Sequence, residues 1–390
     1  MNPHLYIRFL KFKIHSFHFF GVLGYVLGIL LGVSLCYFLD LKISIILLMG
    51  LMGAATFFLL AFAAKTITGD ETIVYYHHEI AILIFCSIAL YLLHYPVLQY
   101  IDITLLGIGT FLAFGRIGCF NVGCCHGRPG NFGYRYGEHH VKNGFTWYYK
   151  DIILFPVQLI ESAFVFCIVI TGSILLFQNT LPGTVLILYT VVYGAFRFAI
   201  EFFRGDAERP YWKGLSEGQW TTLLLIGLSL GLSFTGHLPF YNWHLVFFLL
   251  LVSVSLYVVF AQRKTIKYRL LRARHIEELA TGLQHMKLTE NNLLREREDA
   301  INIYSTTEGL SISCGRFNAQ NKSLRHYTIS SDANLLLDAI NVKKIGTMIS
   351  LIKKHNPQFE MIEKENGVYH LIFYEELFKQ EHILEPMNEN

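Results

Sequence analysis

Charge is what this sequence has least of. Asp, Glu, Lys and Arg make up 16% of its 390 residues, against roughly 25% in a soluble domain. A purely soluble globule is thereby excluded. Hydrophobic residues reach 53%, the mean hydropathy is +0.41, and the apolar residues gather into blocks of about 20, the length that crosses a bilayer. A disulfide scaffold is excluded as well. The seven cysteines are an odd number, and Cys36, Cys86 and Cys167 lie inside apolar runs, where a thiol behaves as a small hydrophobe. Low-complexity tracts and solenoid-length repeats are missing. So is an evident signal peptide: the first apolar block is longer than an h-region and lacks a small-residue cleavage site, so it reads as a retained helix. The net charge of +3 is small, so its distribution carries more information than its sum. No nucleic-acid partner is expected.

What is present is eight apolar blocks, at 17–38, 43–64, 77–94, 102–119, 154–177, 182–203, 219–235 and 241–261. They predict a mainly α, polytopic membrane bundle of seven or eight transmembrane helices over residues 1–261. The longest connection between blocks, 126–153, is polar and aromatic. After Ala261 the composition changes. "RKTIKYRLLRARH" supplies six Lys/Arg in thirteen residues and reads either as a surface-facing anionic-lipid contact or as a plain stop-transfer flank. Residues 262–300 are expected to form a basic, amphipathic helical linker, and 301–390 a small soluble α/β region. There "ANLLLDAINVKKIGTMISLIKK" reads as two short helices and "GVYHLIFY" as a strand.

Ionisable residues in or beside membrane helices are costly, and so point to function. They are few: His77, His78 and Glu79 open the third block; Arg116 and Arg128 flank a glycine-rich stretch; Glu161 lies in "FPVQLIES"; and Arg197, Glu201 and Arg204 lie in "YGAFRFAIEFFRGD". The last three have the spacing i, i+4, i+7, which places them on one helix face with Glu201 able to pair with either arginine. They read as a structural ion pair or, with Arg116 and Arg128, as four arginines converging on one anion. The guanidinium fork stays charged in apolar surroundings and suits a phosphate. In a membrane protein that anion is most naturally a phospholipid headgroup.

The stretch from Gly115 to Gly130, "GRIGCFNVGCCHGRPG", holds five glycines, three cysteines and a histidine. Its glycines allow close backbone approach, or form a small-residue helix-packing face at Gly118 and Gly123. Cys119, Cys124, Cys125 and His126 could bind zinc, but structural sites space their ligands in pairs, and Cys124 and Cys125 are adjacent. A Cys119–Cys124 disulfide, or thiols that only pack, are the other readings. No metal and no cofactor is expected.

These pieces resemble the prolipoprotein diacylglyceryl transferases. "GRIGCFNVGCCHGRPG" is similar to that family's signature G-R-x-G-N-F-x-N-x-E-x-x-G. "FPVQLIES", "YGAFRFAIEFFRGD" and "LSEGQW" follow in the family's order, over roughly residues 17–235. The resemblance implies transfer of the diacylglyceryl group of phosphatidylglycerol to the lipobox cysteine of a preprolipoprotein, with a thioether product and a glycerol phosphate leaving. It implies a multi-pass protein of the bacterial plasma (inner) membrane, with phosphatidylglycerol, prolipoprotein signal peptides and membrane lipid as partners. By the same resemblance Arg116, Arg197 and His77 are the catalytic residues. Arg128, Asn121, Gln158, Glu161, Glu201, Arg204 and Gln219 contact substrate. His77 stands 39 residues before Arg116, near the place of a family histidine, and would be the base for the acceptor thiol.

The chain departs from the family pattern inside the signature. Cys119 replaces its first asparagine, Val122 its second, and Cys124 its glutamate; Phe155 and Ile160 replace a histidine and a tyrosine. Two other readings therefore stay open. One is a phospholipid-binding sensor that signals through residues 262–390, or a related transferase with another acceptor. The other is a metal or redox protein built on the cysteines. Counting charges places the signature on the same side as Arg8, Lys11, Lys13 and the basic run, which a positive-inside count puts in the cytoplasm, whereas the family's site faces outward.

Overall fold

The computed structural model describes residues 3–9, 12–69, 75–206, 210–264, 272–293, 303–319, 322–331, 337–355, 358–364 and 367–375. The chain divides into two compact units, one ending at Ala261 and one beginning at Gln262.

In the first unit, each of the eight apolar blocks forms a helix. These are α1 (Ser16–Phe38), α2 (Ile43–Thr68), α3 (Tyr75–Leu92), α4 (Val97–Val122), α5 (Val157–Phe177), α6 (Thr184–Phe203), α7 (Glu217–Phe234) and α8 (Asn242–Lys264). Six of them, α1, α2, α4, α5, α6 and α8, are long and apolar enough to cross a membrane. Against the seven or eight spans expected from sequence, the count by length and composition among the described residues is six: α3 is an apolar helix of shorter reach, and α7, which opens on Glu217, Gln219 and two threonines, also falls outside the set. A hairpin of β1 (Tyr6–Phe9) and β2 (Phe12–His15) precedes α1.

The most buried helix is α4. It packs on α1 through glycines. Gly24, Gly28 and Gly32 recur every four residues on α1 and are buried, and a Cβ at Gly28 would lie 2.7 Å from the carbonyl oxygen of Gly107 on α4. In a bilayer the hydrophobic effect does not drive helices together, so this backbone-to-backbone approach provides the close van der Waals fit. The other face of α4 meets α5 and α6, where Leu105, Leu112, Ala113, Val165, Val169 and Tyr189 form a common core.

A buried carboxylate fixes the start of α6. Asp102 of α4 accepts from the backbone N–H of Gly183 at 2.7 Å and of Leu186 at 2.8 Å, satisfying donors that open every helix. An Asp102→Ala exchange is expected to lower stability by about 2–3 kcal/mol, read as a fall in the melting temperature of the detergent-purified protein; an unchanged melting temperature would exclude this capping role.

The second unit is a five-stranded antiparallel sheet of β3 (Ile303–Ser305), β4 (Leu310–Ala319), β5 (Lys322–Ser331), β6 (Phe359–Lys364) and β7 (Val368–Glu375), in the order β3-β4-β5-β7-β6. Alternating residues Leu310, Ile312, Tyr327, Ile329, Leu371 and Phe373 face helices α9 (Ala273–Leu293) and α10 (Ala339–Lys353), which add Leu279, Leu283, Val342, Ile345 and Ile349. The strand expected from "GVYHLIFY" is β7. Of the two helices expected in 333–354, the second is α10, capped by Asp338; the first falls mainly on residues 332–336, outside the described residues. Most of the basic run, 265–271, also lies outside them.

Candidate functional site

Three sequence pieces far apart in the chain are laced together by backbone hydrogen bonds. The α4 helix stops at Gly123, in left-handed conformation, and the chain turns into an extended segment, 126–130. On one side the N–H groups of Gly127 and Gly130 donate to the carbonyls of Phe155 (3.1 Å) and Ile153 (3.1 Å). On the other, Arg128 N–H donates to Phe203 O (2.9 Å) and Gly205 N–H to His126 O (3.0 Å). The segment is thus the middle strand between the "FPVQLIES" and "FFRGD" pieces.

The ladder requires a residue without a side chain at its centre. A Cβ on Gly127 would lie 2.3 Å from the Phe155 carbonyl oxygen, a backbone atom that cannot swing aside. Gly127→Ala is expected to cost about 3 kcal/mol and to loosen Arg204 with it. Limited proteolysis at 126–130 and 203–206 would report the change, and a wild-type cleavage pattern would contradict it.

Above the ladder the charged side chains meet. Glu161 of α5 is fully buried and central. Arg116 Nε of α4 lies 2.9 Å from Glu161 Oε2, and Arg197 Nε of α6 lies 3.7 Å from Glu161 Oε1, which also accepts from Tyr193 Oη at 2.9 Å. Arg197 forms a second ion pair, through Nη1, with Glu201. Arg204 makes a bidentate pair with Asp206, at 2.8 and 2.7 Å, the fork geometry that suits a carboxylate. All three arginines are buried, at 6%, 3% and 3% exposure. Three carboxylates match three guanidiniums, which is how a membrane interior tolerates them. The match is incomplete in geometry: the buried Nη1 of Arg204 has no hydrogen-bond partner among the described residues, and Arg116 meets Glu161 with its inner nitrogen.

Helix geometry explains one departure from expectation. Arg197, Glu201 and Arg204 do not share one helix face. Residues Tyr189–Tyr193 form a π-turn, Glu201–Phe203 tighten to a 3₁₀ turn, and Arg204 is extended, with ψ 144°. The pairing of Glu201 with Arg197 holds, while Arg204 leaves the helix and takes Asp206. Interruptions of this kind re-aim side chains and recur at functional sites.

The remaining predicted residues divide. Gln158 is buried and donates to Cys124 O at 2.8 Å. Asn121 accepts from His4 N–H at 2.9 Å and donates to Ile117 O at 2.8 Å. Gln219 closes a capping box with Ser216 and donates to Phe198 O at 3.0 Å. The side-chain amides of Asn121 and Gln219 are thus committed to the fold at both ends. Arg128 is exposed, its Nε donating to Arg204 O at 3.0 Å, so three arginines converge and the fourth stays at the surface. His77 also faces outward, at 2.9 Å from Glu217 Oε1, with 58% of its side chain exposed.

Sequence reasoning missed the neighbour of His77. Tyr76 is buried, its Oη 2.9 Å from Thr222 Oγ1, within electrostatic reach of Arg197, Glu79 and Glu161. Tyr193 and Asp206 were missed too, although both sit in the stretch that flagged Arg197.

The cysteines come together. The sulfurs of Cys119, Cys124 and Cys125 all lie within 4.8 Å of one another. Hydrogen bonding from Cys119 and then Cys124 holds the Cys125 thiol well below the ordinary range, with Arg204 and Arg116 adding to the effect, and hydrogen bonding with Cys119 pushes Cys124 up. Burial lowers His126, whose Nδ1 lies 2.9 Å from Gly127 O. Of the glycines, Gly118 packs against the backbone of Phe17, the helix-packing reading, while Gly127 admits a neighbouring strand.

An open apolar groove of ≈ 540 Å³ runs along α6, lined among others by Phe164, Phe196, Ala199, Phe203, Leu251 and Val254.

Comparison with known proteins places this arrangement. The family model for prolipoprotein diacylglyceryl transferase matches residues 4–235. The chain is 32% identical over 133 residues to a phosphatidylglycerol–prolipoprotein diacylglyceryl transferase of Clostridium tetani, covering 34% of this chain and 51% of that protein. It is 29% identical over 140 residues to one of Dehalococcoides mccartyi, covering 36% and 52%. It is 30% identical over 115 residues to a second such transferase of Clostridium perfringens, covering 28% and 41%. The chain therefore spans about half the length of these relatives, or less.

Proposed function

Because the chain belongs to the prolipoprotein diacylglyceryl transferase family, we propose that it moves the diacylglyceryl group of phosphatidylglycerol onto the lipobox cysteine of a prolipoprotein, in the plasma (inner) membrane of a bacterium. The observation that carries this reading is the buried trio Arg116, Arg197 and Arg204, the first two on Glu161 and the third on Asp206, with Arg204 Nη1 lacking a hydrogen-bond partner among the described residues. A phosphodiester gives such a nitrogen an acceptor. It also gains most from the guanidiniums when the C–O bond breaks and charge grows on the departing phosphate, the moment at which electrostatic stabilisation accelerates a reaction. The apolar groove along α6 offers a surface for acyl chains.

The carboxylates have a different part. Glu161, Glu201 and Asp206 are each ion-paired to an arginine, so they orient guanidiniums. His77, paired with Glu217 outside the trio, remains the imidazole base of this reading.

The test is transfer itself. Purified full-length protein, phosphatidylglycerol labelled in its acyl chains and a lipobox peptide are expected to give a labelled, hydroxylamine-stable peptide. A serine version of the peptide is expected to stay unlabelled. Labelled lipid that binds with no product would turn the reading toward a sensor, which the substituted signature favours.

A further inference from the structure

We propose that Cys119, Cys124 and Cys125 form a three-sulfur site for a thiophilic divalent cation such as zinc, whose open fourth position takes the acceptor thiol as a thiolate. The metal site stands on the cluster alone; its use rests on the transferase reading above.

The first support is distance. Zinc–sulfur bonds of about 2.3 Å, in trigonal or tetrahedral arrangement, place sulfurs roughly 3.8–4.0 Å apart. The three sulfurs already lie within 4.8 Å of one another, so closing onto an ion needs shifts of under about 1 Å. Adjacency of Cys124 and Cys125 argues against chelation in an extended or helical chain. Here Cys125 takes a left-handed conformation, φ 54°, just after the helix end, and all three sulfurs gather in spite of that adjacency.

The second support is electrostatic. A divalent ion on three thiolates carries net charge −1, and a fourth thiolate makes it −2. Arg116 acts electrostatically on Cys119 and Cys125, and Arg204 on Cys125. Arg204 also carries a buried Nη1 with no hydrogen-bond partner among the described residues. Hard oxygen-seeking ions gain nothing from a thiol set, whereas zinc and its soft neighbours do.

The third support is that the site is open. Among the described residues no fourth histidine, cysteine or carboxylate completes the set. His126, the nearest in sequence, directs Nδ1 at Gly127 O and packs its ring edge-on against Phe145 and Tyr149. Cys119 is buried, Cys125 half-buried and Cys124 exposed, so the sulfurs form a path from the surface inward. Three protein ligands with a free position are the mark of catalytic rather than structural zinc, and a coordinated thiol gives up its proton.

The step balances. The acceptor thiol binds the ion as thiolate, and its proton passes to the imidazole base His77 of the transferase reading or, where the ion alone acidifies the thiol, to solvent. Its sulfur attacks the glycerol carbon bearing the phosphate, a C–S bond forms, and the C–O bond breaks with its electron pair leaving on the phosphate. No oxidant or reductant takes part.

Chelator-stripped full-length protein is to be titrated with Co(II) as a spectroscopic probe, with Zn(II) as competitor. Stoichiometric thiolate-to-cobalt charge-transfer bands are expected, displaced by zinc and lost in C119S, C124S or C125S. In parallel, zinc is expected to slow alkylation of these three thiols in the wild-type protein, a reading that needs no variant to fold. A lipobox peptide is expected to shift the cobalt bands, and its Cys→Ser form to leave them alone. Absence of the bands together with unprotected thiols would overturn the metal site. Bands indifferent to the peptide would overturn the open position. Full transfer by the metal-free protein would overturn the metal's role while leaving the transferase reading intact. Metal and peptide binding without transfer would instead sink the transferase reading and leave the site standing.

Discussion

Arg116→Ala is expected to reduce diacylglyceryl transfer by about 10²–10³, the loss that follows removal of one preorganised donor facing developing negative charge. Of the three buried arginines Arg116 is the cleanest to remove. It meets Glu161 through Nε only, and Glu161 keeps Arg197 and the Tyr193 hydroxyl when it is gone. Arg116→Lys separates charge from shape. A lysine retains the positive charge but lacks the planar fork, and is expected to recover less than about a tenth of the activity. The measurement is the initial rate of labelled-lipid transfer, normalised to protein that elutes as a folded species in detergent. A wild-type rate in Arg116→Ala would remove the proposed handling of phosphate. Equal rates for lysine and arginine would reduce the role to charge alone.

The second large effect concerns stability. Glu161→Gln keeps the volume of the side chain but strands Arg116 and Arg197 with one carboxylate fewer. Breaking a buried pair by neutralising one partner costs about 3–5 kcal/mol, which corresponds to a melting temperature lower by roughly 10 °C for a unit of this size. The sign of the coupling is the sharper reading. Combining Glu161→Gln with Arg116→Gln removes both charges, so the double variant is expected to be less destabilised than the sum of the singles. Strict additivity, measured by thermal unfolding of all four proteins, would show that the two groups do not interact.

What the sequence made legible is whatever depends on one period or one residue type. Eight apolar blocks became eight helices because a bilayer leaves a backbone little else to form. Glu161, Arg197 and Arg116 were visible because charge inside an apolar run is rare. What it hid depends on where the period fails. The i, i+7 relation of Arg197 and Arg204 assumes an unbroken α-helix, and the 3₁₀ turn at 201–203 followed by the extended Arg204 interrupts it. Asn121 and Gln219 look like any buried amide in sequence, and only the fold reveals that their hydrogen bonds are spent on His4, Ile117, Ser216 and Phe198. His77 and Tyr76 are neighbours in one helix, so only the phase of α3 decides which faces the arginines. The adjacency of Cys124 and Cys125 argues against a shared site because such ligands are usually spaced in pairs; Cys125 takes the left-handed conformation, uncommon for a non-glycine residue, and the three sulfurs gather all the same.

The ladder through residues 126–130 also sets a timetable. Gly127 leaves the ribosome about 80 residues before Gly205, whose N–H joins the same ladder through His126 O. At roughly 5–20 residues per second, the signature spends several seconds in the membrane with its second flank unmade. During that interval Arg116 and Glu161 can find each other, but Arg204 and its neighbours do not yet exist. Under the proposed function headgroup capture is therefore a late event in biogenesis, and a nascent chain released before residue 204 carries the signature without the third buried arginine.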